Sequence, residues 1–201
     1  MTGIKQGTVT ITAKTKDGRY SDTCKVFVKY DGAKIVTTAN KFVRINGAKF
    51  FELLRARIGN EYDGYEWCAL FASYCYDLNN ALGSNKIIKK YNTNVSDFAK
   101  LENYKYYRSK ASYPNYIPKP GDLIIFERTD SNLAYEHIGI VKSYDSKNKI
   151  VYTIEGNIGE SNNYRSVVGY DSYRNTYPYT RVDKSKDQTL KIKGFFSLNN
   201  N

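Results

Sequence analysis

The chain has a single histidine, one tryptophan, one methionine, three cysteines and four prolines in 201 residues, and each scarcity excludes something. Three cysteines are too few for a disulfide scaffold, and an odd count leaves at least one thiol free. Any imidazole chemistry falls to His137, and no zinc-ligand spacing surrounds it. No apolar stretch approaches the ~20 residues of a membrane-spanning helix. The opening Met1–Thr8 lacks the apolar region of a signal peptide and reads as the interior of a domain, so the chain is expected to be a piece of a longer protein. Acidic residues are also outnumbered: 20 Asp and Glu against 31 Lys and Arg leave a net charge of +11. The bases are spread along the chain, which gives a diffuse positive field, read either as attraction to a polyanion or as a merely basic soluble surface. Nucleic acid is not the expected partner, because no Gly-rich phosphate loop, zinc spacing or aromatic RNA-binding signature accompanies the charge. A hydrophobic content of 41% suffices for one good core and a small extra module.

What is present centres on Asp63-Gly64-Tyr65-Glu66-Trp67-Cys68-Ala69-Leu70-Phe71-Ala72-Ser73-Tyr74-Cys75. Loop chemistry at Asp63-Gly64 is followed by an apolar set at helical spacing, which puts Cys68 in the first turn of a helix. Unpaired N–H groups and the positive end of the helix dipole favour a thiolate there, and can bring a cysteine pKa from ~8.5 into the ~3.5–7.5 range. A cysteine nucleophile needs a base, and His137 opens the β-type run His137-Ile138-Gly139-Ile140-Val141. A second run, Ile150 to Asn157, follows a Lys147-Asn148-Lys149 turn and should pair with it antiparallel, which brings Glu155 and Asn157 beside His137. A carboxylate or amide there can orient the imidazole.

Before these motifs, Thr8–Ala13 and Cys24-Val26-Val28 alternate around a Lys16–Arg19 turn and predict a hairpin. It resembles the last strands of a bacterial Ig-like (group 2) repeat, in whose complete sandwich Cys24 is a core residue. Residues 33–46 read as a linker, and Ala48–Ile58 as a helix ended by Gly59. A short helix is expected around Val95–Leu101, then a tyrosine-rich stretch from Tyr104 to Tyr116. From Pro118 onward, Asp122–Glu127, His137–Tyr144, Ile150–Glu155, Ser166–Tyr170 and Lys191–Ser197 read as strands. Helices first and strands afterwards mean an α+β fold.

Trp67-Cys68-Ala69-x-Phe71, Pro118-Lys119-Pro120-Gly121-Asp122-Leu123-Ile124, His137-Ile138-Gly139-Ile140-Val141 and Ile154-Glu155-Gly156-Asn157 together resemble the CHAP (cysteine, histidine-dependent amidohydrolase/peptidase) family. The resemblance divides the chain into the hairpin (1–32), the linker (33–46) and a catalytic domain (47–201). It implies a papain-like arrangement, with N-terminal helices carrying the cysteine packed on an antiparallel sheet. It also implies Cys68 as nucleophile, His137 as general base, Glu155 as orienting acid and Asn157 as auxiliary polar group. Trp67, Tyr62, Tyr65 and Tyr135 are candidates for substrate contact. The implied activity is cleavage of an amide bond of bacterial peptidoglycan, by a secreted or wall-associated enzyme drawn to anionic wall polymers. The alternatives are a non-catalytic wall- or surface-binding module and a cysteine protease acting on proteins. No cofactor is implied. Calcium-binding relatives carry an Asp-rich loop before the cysteine, whereas this chain has Glu61, Asp63 and Glu66, which argues against a metal.

Overall fold

The computed structural model describes residues 7–81, 91–99, 107–128, 136–159, 165–175, 180–181 and 190–197. Strands β1 (Gly7–Lys14) and β2 (Ser21–Val28) form the expected hairpin, with Ile11 opposite Cys24. Nearly every residue of the pair is exposed, Cys24 included, so within this chain that thiol faces solvent.

Helix α1 (Gly32–Asn40) replaces most of the expected linker. Its run of threonines and β-branched residues has weak helix propensity. The Asp31 side chain nevertheless accepts from the N–H groups of Ala33 and Lys34, and Ile35 and Ala39 are buried in the core. Capping and tertiary burial therefore override propensity. The segment that follows is equally engaged: Arg44 N–H donates to the Val168 carbonyl, Val168 N–H to Ile45, and Gly47 N–H to Ser166. Helix α2 (Gly47–Ile58) is capped by Asn46 and ended by Gly59 at φ 91°, and it buries Phe50, Phe51 and Leu54. Helix α3 (Cys68–Leu78) is buried at every position from Cys68 to Tyr76. It is a central helix rather than an amphipathic surface one.

The remaining strands make a seven-stranded sheet, antiparallel throughout. In chain order they are β3 (Tyr107–Ser109), β4 (Leu123–Arg128), β5 (His137–Asp145), β6 (Ile150–Ile158), β7 (Val167–Arg174), β8 (Thr180–Arg181) and β9 (Leu190–Phe196). Their spatial order is β3-β9-β4-β5-β6-β7-β8, so the last long strand inserts beside β4. The short β3 and β8 carry no alternation that could announce them. Alternate strand residues serve separate cores: Leu123, Ile125, Ile138, Ile140 and Ile154 join the helices, while Ile124, Phe126, Val141, Val151 and Tyr173 form a second cluster. Among the described residues no helix is long and apolar enough to cross a membrane.

Candidate active site

The first turn of α3 meets the sheet where β5 begins and β6 ends. Gly156 is the reason the approach is so close: a Cβ there would lie 2.6 Å from Phe71 Cβ and 2.9 Å from Trp67 Cζ3. Cys68 opens the helix, as its spacing predicts. Its N-cap residue is Trp67, whose side chain makes no cap bond to the first N–H groups. Those groups stay unspent within the helix.

His137, the first residue of β5, lies under the influence of both Cys68 and Glu155. Its Nε2 lies 2.9 Å from Glu155 Oε2, and Cys68 is near enough to raise its pKa. Glu155 reaches it across Gly139, where a Cβ would fall 2.7 Å from Glu155 Cγ. The glycine of the His-x-Gly run is thus room for the carboxylate. The histidine side chain is 13% exposed and Glu155 1%, so the pair is largely removed from water. Burial pulls the His137 pKa down. Hydrogen bonds and negative charge from Cys68 and Glu155 outweigh it and hold the imidazole well above its ordinary value. Phe126 stacks on the imidazole, with ring centroids 5.9 Å apart.

Asn157 goes elsewhere. The ladder is irregular between Glu155 and Ile158, and Asn157 takes a left-handed backbone at φ 60°. Its Nδ2 donates to Glu66 and its Oδ1 accepts from the Ser166 hydroxyl at 2.6 Å. Ser166 in turn accepts from Trp67 Nε1 at 2.9 Å. The expectation of Asn157 beside His137 assumed regular alternation, which the irregularity breaks. In place of touching the imidazole, Asn157 ties down the residues just before Cys68.

The candidate contact residues also separate. Trp67 is fully buried and stacks on Phe50 at 4.9 Å, so its ring belongs to the core. Tyr62 packs against that core beside Tyr91, and burial with the nearby Glu61 pushes its phenol up. Tyr65 is 52% exposed and faces solvent next to the cysteine loop. Tyr135 lies outside the described residues. Of the carboxylates before Cys68, Asp63 is paired with Arg55 at 2.7 Å and Glu66 with Asn157. Among the described residues no group of three or more His, Cys, Asp or Glu converges as metal ligands would.

Residues 60–157 match the CHAP domain family model. No curated protein and no solved structure matches the chain. The CHAP match begins just before the cysteine loop and ends at Asn157, so it contains Cys68, His137 and Glu155. What that match implies, at the level of the family only, is hydrolysis of the amidase or peptidase type on the cell wall. Helices α1 and α2, and the β7 residues Asp171 and Tyr173, lie beyond it. Sequence reasoning missed Thr153, Ser166, Asp171 and Tyr173. Thr153 was within reach of it, since a residue two before Glu155 shares its face of a strand. For the others the signal is tertiary.

Proposed function

We propose that this chain hydrolyses an amide bond of bacterial peptidoglycan through an acyl-enzyme on Cys68, in a papain-like arrangement of α3 against β5 and β6. The observation that carries the reading is His137, whose Nε2 lies 2.9 Å from Glu155 Oε2 and whose pKa is raised by both Cys68 and Glu155. His137 takes the thiol proton, and the imidazolium so formed is stabilised by Glu155. The thiolate attacks the carbonyl carbon, and the C–N bond breaks as His137 gives its proton to the departing amine. Water, deprotonated by His137, then cleaves the thioester and restores the thiol. N–H groups at the start of α3, that of Cys68 among them, face the developing oxyanion. Asn157 supports the site by holding Glu66, and Tyr65 offers an exposed ring for substrate. The net charge of +11 supports capture on anionic wall polymers.

The test is digestion of purified walls by the chain and by Cys68→Ala, with mass spectrometry of the released fragments and casein alongside. Hydrolysed amide bonds in wall fragments, absent with Cys68→Ala, are the expected result. Binding without fragments would make the chain a wall-binding module, and cleavage of casein alone would make it a protease acting on proteins.

A further inference from the structure

Glu155 is met by hydroxyl groups for which the reaction itself has no use. The Thr153 hydroxyl donates to Oε1 at 2.5 Å, and the Tyr173 hydroxyl lies 3.1 Å from Oε2, the oxygen that also receives His137 Nε2. Both hydroxyls have a second acceptor, and both times it is Asp171. Tyr173 Oη is 3.2 Å from Asp171 Oδ2, and Thr153 Oγ1 is 3.2 Å from the Asp171 carbonyl oxygen. The register accounts for this. Thr153 pairs with Asp171, Val151 with Tyr173 and Glu155 with Gly169, so alternation stacks all four polar side chains on one face of β6 and β7. Tyr173 is 1% exposed, and its ring lies 4.4 Å from Phe126, the ring that stacks on His137. Packing therefore fixes the phenol, and its hydroxyl has one proton for two carboxylates.

We propose that Tyr173 is a positioning residue whose hydroxyl holds Glu155 Oε2 against His137 Nε2, and that Asp171 competes for that hydroxyl and so weakens the hold. This rests on the reading of His137 and Glu155 as the catalytic pair. Removing the phenolic oxygen frees the carboxylate on one side, and small displacements in such a site are costly. Converting Asp171 to the amide acts the other way. Its N–H can donate to the phenolic oxygen, which commits the phenolic proton to Glu155.

The experiment compares Tyr173→Phe and Asp171→Asn in the full chain, with a soluble peptidoglycan fragment as substrate and proton NMR on His137, the one imidazole present. For Tyr173→Phe the expected result is a ~10-fold fall in kcat with KM little changed, since misplacement of a catalytic group acts on the chemical step. The Nε2–H signal of His137 should also exchange with water faster than in the parent. Asp171→Asn should leave kcat equal or raised, with slower exchange of the same proton. A Tyr173→Phe variant that keeps its kcat and its exchange rate would overturn the proposal, as would a fall in kcat for Asp171→Asn as large as that for Tyr173→Phe. Should Tyr173→Phe not fold, Asp171→Asn decides alone: an equal or raised kcat with slower exchange is the expected result, and a ~10-fold fall in kcat would overturn the proposal. Should Glu155→Gln retain full activity, the reading of the catalytic pair fails instead, and the exchange rates still report on the hold.

Discussion

The sole histidine lies between opposing effects, and their balance can be measured residue by residue. Burial disfavours the imidazolium, whereas Cys68 and Glu155 favour it and prevail. A histidine raised in this way contributes stability that is complete below its unfolded pKa of ~6.5. That contribution is lost as pH rises through the raised folded value. Cys68→Ala and Glu155→Gln should each lower the His137 pKa in an NMR titration. The double variant should fall below ~6.5, because only burial remains to act. An unmoved titration in Glu155→Gln would refute the contact. The cysteines give a second reading at the same scale. Cys75 is buried, and burial pushes its thiol well up, while Cys24 is exposed. Near pH 6, iodoacetamide should modify Cys68 ahead of Cys24 although access favours Cys24, and should spare Cys75 until the chain unfolds. Equal rates at Cys68 and Cys24 would show that His137 does not activate the thiol.

At the scale of elements, the site depends on how closely α3 approaches β6. Gly156→Ala should drive a methyl group into Phe71 and Trp67. Overpacking of this kind costs about 1–3 kcal/mol, readable as a lower denaturation midpoint together with reduced activity. Wild-type stability in that variant would contradict the packing. Ile35→Ala should cost about 2–5 kcal/mol, because α1 is part of the core and not a tether. The elements that sequence reveals are those whose residues obey a period. The strands from β4 to β7 alternate or run apolar between turn residues, and α2 combines helical spacing with a terminal glycine. Helix α1 was hidden because Gly32, Thr37 and Thr38 read as loop, and the Asp31 cap gains its meaning only once Ile35 finds a core. Cys68, His137 and Glu155 could be singled out in the sequence because the proposed cysteine chemistry restricts the residue types that could serve it. Asn157 was misplaced for want of the irregularity after Glu155.

For the molecule as a whole, charge and chemistry can be separated. If the net charge of +11 draws the chain to anionic walls, as proposed, that attraction is screened over ~8 Å at physiological ionic strength. Activity on intact walls should therefore fall steeply as salt rises beyond that range, while cleavage of a small soluble fragment changes much less. A parallel fall in both would place the salt effect on the fold or the chemistry. The most direct test of the central claim is the release of free amino groups from purified peptidoglycan, followed for the wild-type chain and for Cys68→Ala at equal concentration. Wild type should liberate amines continuously and Cys68→Ala none. Amine release that survives Cys68→Ala, or its absence in wild type, would contradict the account.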